Sequence, residues 1–183
     1  MFSNPNLKKM LINNLFYIYM NLDFGNCLWF LIQKNTDAYD LCKELQDAVS
    51  DFKYSPHITI EYDMSNNEQH CIDKWKKIVE NGISLNIEHP LSFDESEYKG
   101  FFSLELPVIC SDNSGCDIIK KHIGMKSHIS FAYRFHKPFA IEEKVKVYKI
   151  LHKHYFANLT IHPVLAKEHC HCNRINEWKG ILV

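Results

Sequence analysis

Apolar and polar positions alternate along much of this chain, and where the period changes, helices take over. Two apolar runs come early, "LFYIYMNL" (15–22) and "CLWFLIQ" (27–33), with the turn-prone Asp23-Phe-Gly-Asn26 between them, so the pattern predicts a hairpin. At Thr36 the spacing becomes helical. Thr36 serves as N-cap, Asp37 falls in the first turn, and Leu41, Leu45, Ala48 and Val49 recur on one face, predicting a helix that stops near Asp51. "HITIEY" (57–62) alternates as a strand. Residues 67–80, with Cys71, Trp75, Ile78 and Val79, read as a second helix ended by Asn81-Gly82.

The middle of the chain, "ISLNIEHPLSF" (83–93) and "GFFSLELPVI" (100–109), is strand-like, with Pro90 and Pro107 marking strand edges or ends. A short helical stretch over 116–122 leads into the strand "SHISFAYRF" (127–135). "AIEEKVKVYKILHKHYF" (140–156) is a helix with Ile141, Val145, Tyr148, Leu151 and Tyr155 on its apolar stripe. The tail reads as strands and turns. No linker divides residues 1–183, so a single domain is expected. The order of elements in the first half is roughly repeated in the second. This predicts an α+β fold, duplicated and bilobal, with two antiparallel sheets flanking a central cleft and helices outside.

Composition narrows the function. At 183 residues the chain can bury one real core. A formal net charge of −1 gives no global attraction to nucleic acid or anionic lipid, so phosphate binding has to come from a local site. The seven cysteines, an odd number, form no regular framework, nothing resembles a secretory leader, and no run approaches the roughly 20 apolar residues that span a bilayer. The expectation is a cytoplasmic protein with no membrane contact and no obligate protein partner.

The chemistry sits in a repeat. Ser55 to Tyr62, "SPHITIEY", is nearly restated as Ser127 to Tyr133, "SHISFAY". Along a strand His57 and Thr59 share one face while Ile58 and Ile60 take the other, and His128 and Ser130 stand likewise against Ile129 and Phe131. Each half therefore offers one imidazole beside one hydroxyl. Brought together across a cleft, the two histidines can serve as base and acid, and Thr59 and Ser130 can hold the charge of a phosphodiester in the transition state. No cofactor or metal is called for.

Two His-x-Thr/Ser motifs in a duplicated layout resemble the signature of the 2H phosphoesterases (LigT-like). His57-Ile-Thr59 and His128-Ile-Ser130 carry that resemblance, and the rest of the chain agrees in order of elements. It implies metal-independent cleavage of phosphodiesters: cyclic-phosphate RNA ends, 2′,5′-linked oligoadenylates or cyclic nucleotides. Because the two motifs are pseudo-symmetric, which histidine is base and which acid stays open.

Further candidates line up around the motifs. Lys126 shares parity with His128 and Ser130 and could meet a phosphate, the alternative being a solvated loop lysine. Tyr62 and Tyr133 could stack on a base, yet strict alternation puts them with the core-facing Ile and Phe. Trp178, Tyr17 and Tyr19 are other possible platforms, core packing being their commoner fate. "EHCHC" (168–172), with His152, His154 and His162 upstream, raises zinc. Neighbours on a strand point to opposite faces, so only His169 with His171, or Cys170 with Cys172, could share an ion, and no metal site is expected.

The expected substrate is a small nucleotide rather than long nucleic acid, since polyanion binding draws on many basic contacts. The sequence is rich in Asn, Lys, Ile and Tyr, a bias found in A+T-rich genomes such as those of many large DNA viruses or some protists. In a virus the resemblance implies destruction of a host immune signal, 2′3′-cyclic GMP-AMP first and 2′,5′-oligoadenylate second. The alternatives are an RNA-end-processing cyclic phosphodiesterase and a non-catalytic nucleotide- or RNA-binding module of the same fold. A bell-shaped pH profile around the reference histidine pKa of about 6.5 is expected.

Overall fold

The computed structural model describes residues 22–88, 92–98, 100–110 and 127–183. The predicted strand 15–22 with Tyr17 and Tyr19, the stretch 116–122, Pro90 and Lys126 lie outside them. The described elements run β1 (Asp23–Leu31), α1 (Asp37–Val49), β2 (His57–Glu61), α2 (Glu68–Glu80), β3 (Leu85–Ile87), β4 (Asp94–Tyr98), β5 (Phe101–Cys110), β6 (His128–Phe135), α3 (Ile141–Lys153), β7 (Thr160–Ile161), β8 (Val164–His171) and β9 (Ile181–Leu182). A 3₁₀ turn at Met64–Asn66 and a 3₁₀ segment kinked at Arg174 over Cys172–Glu177 join their neighbours.

The fold is α+β with two antiparallel sheets. One has strand order β2-β1-β8-β9; in the other β4, β5, β3 and β7 follow one another, and β6 pairs with β5. β5 residues 101–105 pair with both β4 and β6, so those two strands flank it on opposite edges. β2 and β6, which carry the motifs, are thus edge strands of different sheets, and they run close together.

One core serves both sheets. Leu28, Phe30, Ile58 and Ile60 of the first and Leu104, Leu106, Ile129 and Phe131 of the second join Leu41, Leu45 and Val49 of α1 and Val147 and Leu151 of α3. Each fully buried leucine or phenylalanine contributes about 2 kcal/mol. α1 forms where its pattern predicts: the Thr36 hydroxyl accepts from Tyr39 N at 3.2 Å, and Ser50 follows in an extended conformation. α2 ends at Asn81, with Gly82 at φ +82°.

Three expectations are corrected. No hairpin forms at 23–26. Gly25, at φ +69°, makes a bulge within β1, its N–H bonded to Asp23 Oδ1 at 2.8 Å, and β1 pairs with β8 on both sides of it. A Cβ on Gly25 would stand 2.9 Å from Asp63 Oδ1, so the close approach also calls for glycine. Pro107 lies inside β5, not at an end; its carbonyl accepts from Glu88 N, just past the end of β3, where no ladder N–H is required. The apolar stripe expected on α3 is mostly outside: Ile141, Val145, Tyr148 and Tyr155 are exposed, and Val147 and Leu151 are buried. The face turned inward is the row Val147 and Leu151, which packs in the core, with Glu143 one turn earlier on the same side bonded to the buried Arg134. The sequence pattern assigns no element to 94–98; "DESEY" is β4, its backbone paired with β5 while its charges stay wet.

Among the described residues Cys27, Cys42, Cys71, Cys170 and Cys172 are free thiols, and no helix is long and apolar enough to cross a membrane.

Candidate active site

Between the sheets lies a cleft of about 600 Å³. His57 and Thr59 of β2 and His128 and Ser130 of β6 all line it, while Ile58, Ile60, Ile129 and Phe131 point into the core, as the alternation requires. Trp178 also lines it, though only 4% exposed.

The two tyrosines do not follow strict alternation. Along β1 and β2 the register passes from Trp29↔Thr59 to Leu28↔Glu61, which leaves Ile60 as an extra residue. Along β5 and β6 it passes from Glu105↔Ser130 to Leu104↔Ala132, which leaves Phe131 as the extra. Each motif strand therefore bulges three residues after its histidine, and the side chains beyond change face. Tyr62 and Tyr133, each five residues after its histidine, line the cleft instead of the core. Their hydroxyls come within reach of Thr59 and Ser130 respectively, and burial raises both above the ordinary tyrosine range, so they stay neutral donors. Tyr133 is packed, stacked on Phe101 at 4.9 Å and near Tyr54 at the same distance; Tyr62 is half exposed.

His57 sits in an aromatic box. Its ring lies on that of Trp29, centroids 3.7 Å apart and 12° from parallel, and Tyr54 and Trp178 approach edge-on at 6.0 and 6.4 Å. Its Nδ1 is 2.7 Å from the Ser55 carbonyl. A carbonyl only accepts, so Nδ1 carries the proton and Nε2 keeps its lone pair. Desolvation, opposed by that hydrogen bond, lowers its pKa to about 4. The box is tied to the other lobe by Tyr54, whose hydroxyl donates to the Ser130 carbonyl at 3.0 Å, and to the C-terminal segment by Ser55 N bonding Trp178 O at 3.0 Å.

His128 has a different setting. Its Nε2 is 3.6 Å from Glu105 Oε1. That oxygen accepts from Ser103 Oγ at 2.6 Å and from Ser96 Oγ, and the two hydroxyls are 2.8 Å apart. Asp94 and Glu97 of β4 complete the acidic side of the lining.

Neither Trp29 nor Glu105, Ser96 or Ser103 is singled out by the sequence. Phe101, Ser103, Glu105 and Pro107 do alternate along their strand, but only pairing with β6 says which face meets the histidines. In "EHCHC", Cys170 and Cys172 are buried, while His169 contacts Asn26 and Asp23 across the strand pair. Among the described residues no three His, Cys, Asp or Glu side chains converge on a common point.

No protein-family model matches the sequence, and no curated protein is similar enough to count as a relative. Among solved structures, Usb1 of Kluyveromyces marxianus is similar with a TM-score of 0.38 and 11% identity, over 80% of this chain and 94% of that chain. Similarity that low leaves the cleft's own geometry to carry any function.

Proposed function

We propose that this protein is a phosphodiesterase whose side chains supply base, acid and anion donors among themselves. The observation that carries it is the convergence of both His-x-Thr/Ser motifs on one cleft, with His57 held as a neutral imidazole whose Nε2 lone pair is free to accept. His57 takes the proton of the attacking hydroxyl, from water or a neighbouring ribose; the new O–P bond forms as the old P–O bond breaks. His128 gives a proton to the departing oxygen. Thr59 and Ser130 donate to the non-bridging oxygens, where charge has to be held. This agrees with the resemblance of the two motifs to the 2H phosphoesterases.

For substrate we propose a small 2′,5′-linked nucleotide, 2′3′-cyclic GMP-AMP ahead of 2′,5′-oligoadenylate. A cleft of about 600 Å³ falls in the range of small-molecule sites, and the chain's net charge of −1 does not favour a long polyanion. A 2′,5′ linkage also leaves a 3′-hydroxyl beside the phosphorus, placed for attack.

The test is purified protein against 2′3′-cyclic GMP-AMP, its 3′3′ isomer, 2′,5′-triadenylate and a cyclic-phosphate RNA end, with and without excess EDTA, beside His57→Ala and His128→Ala. Cleavage of a 2′,5′-linked member that survives EDTA and is lost in both variants is expected. Cleavage of the RNA end alone would move the substrate, and turnover that persists in either variant would overturn the mechanism.

A further inference from the structure

The two halves of the cleft differ at one equivalent position. Trp29 stands opposite Thr59 on the strand beside β2, at the bulge of Ile60; Glu105 stands opposite Ser130 on the strand beside β6, at the bulge of Phe131. An indole thus occupies in one lobe the place that a carboxylate occupies in the other. Each contacts the histidine of its own motif: Trp29 by a 3.7 Å stack on His57, Glu105 by a 3.6 Å approach to His128 Nε2.

We propose that Trp29 and Glu105 are positioning residues that break the symmetry of the site, Trp29 holding His57 as the neutral base and Glu105 holding His128 as the proton donor. The assignment rests on the phosphodiesterase reading.

The physical case differs on the two sides. Trp29 is fully buried, and with Tyr54 and Trp178 it keeps water from His57, an environment that penalises the charged ring more than the neutral one. The Ser55 carbonyl then decides which nitrogen is left to act. At His128 the Glu105 carboxylate stands 3.6 Å from Nε2, where it orients the imidazole toward the cleft. Ser96 and Ser103 fix Glu105 through neutral hydroxyls, so its charge is not cancelled before it reaches the imidazole. When His128 is protonated the pair is neutral, and a phosphate entering beside it meets no uncompensated carboxylate.

Other titratable groups face the two rings. Tyr54 lies against His57, the histidines face each other, Tyr62 and Tyr133 bracket the motif hydroxyls, and Asp94 and Glu97 of β4 are on the Glu105 side. The three tyrosines are pushed above their ordinary range by burial and remain neutral. Asp94 is paired opposite Glu105 in register but exposed to solvent, where its charge is screened.

The test compares Trp29→Leu, Trp29→Phe, Glu105→Gln and Glu105→Asp by kcat/KM against pH on the diester that is cut, and by NMR titration of the His57 ring in protein without substrate. Trp29→Leu is expected to move the acid limb up from about 4 toward 6.5; a two-unit move costs about tenfold in activity at pH 5. Trp29→Phe gives a smaller shift of the same sign and supplies the test if Trp29→Leu does not fold. Glu105→Gln is expected to lower kcat about tenfold with KM within about twofold, leaving the acid limb in place. Glu105→Asp recovers part of the loss. An acid limb that stays put in both Trp29 variants, or a kcat that Glu105→Gln leaves unchanged, would overturn the proposal. The His57 titration needs no turnover. An unmoved His57 in folded Trp29→Phe counts against Trp29 alone, whereas a shifted His57 in a protein that cuts nothing counts against phosphodiester cleavage and not against the stack.

Discussion

Tyr62 and Tyr133 stand at the same offset from the two histidines and face the same cleft, each brought there by a one-residue bulge in its own strand. Their exposures differ, 50% against 8%, so the same substitution has different consequences in the two halves. Tyr133→Phe keeps the ring and loses only the hydroxyl near Ser130; stability should change by no more than about 1 kcal/mol. Tyr133→Ala removes a ring packed on Phe101 and Tyr54 and should cost about 3–5 kcal/mol in urea unfolding. Tyr62→Ala should cost under about 1 kcal/mol of stability and, on the proposed function, show its effect in KM, since the half-exposed ring lines the cleft. Equal losses of stability at the two sites would contradict the packing described.

Burial of His57 sets a second expectation. On the proposed mechanism His57 acts only when neutral, and burial holds it at about 4, so the acid limb of kcat/KM should lie near that pH, well below the reference value of about 6.5 on whose two sides the sequence places the limbs. An acid limb found between pH 6 and 7 in the wild type would mean that His57 is not the base.

The same group makes the fold sensitive to acid. The unfolded chain protonates His57 near 6.5 and the folded chain only near 4, so stability is full above 6.5 and falls as pH drops through that window, by up to about 3 kcal/mol. Glu143 acts lower down. Its hydrogen bonds to Arg134 hold it at about 2, so its contribution is present above the ordinary carboxylate value and is lost as pH falls from about 4.5 to 2. Chemical denaturation across pH should show both windows, and His57→Gln should remove the upper one only.

Arg134 joins three elements. Its guanidinium bonds Glu143 of α3 at 2.6 and 2.7 Å and Asp51 at 3.1 and 3.3 Å, and it lies 4.6 Å over Phe139. Because its side chain is only 8% exposed, Arg134→Met strands Glu143 in a half-buried site and should cost about 3–5 kcal/mol. Adding Glu143→Gln should recover part of that loss; a double variant as unstable as the sum of its parts would show that the pair is not coupled.

Local pattern decided a good deal. Thr36 and the leucines after it mark α1 because capping and helical spacing are properties of neighbouring residues. His57 with Thr59, and His128 with Ser130, share a face because two residues along a pleated strand always do, and the apolar residues between them determine that this face is not the core. Tertiary pairing decided the rest. A bulge is a mismatch between two strands, so nothing in "HITIEY" alone says that Tyr62 changes face. Trp29 and Glu105 become partners of the histidines only through ladders that pair Trp29 with Thr59 and Glu105 with Ser130, 30 and 25 positions apart in sequence. The face that α3 turns inward carries Val147 and Leu151 beside the Glu143 pair with Arg134 of β6, and not most of the apolar stripe read from the helix alone. Periodicity is written in adjacent residues and can be read from them; register and partner choice are long-range, and only the folded chain settles them.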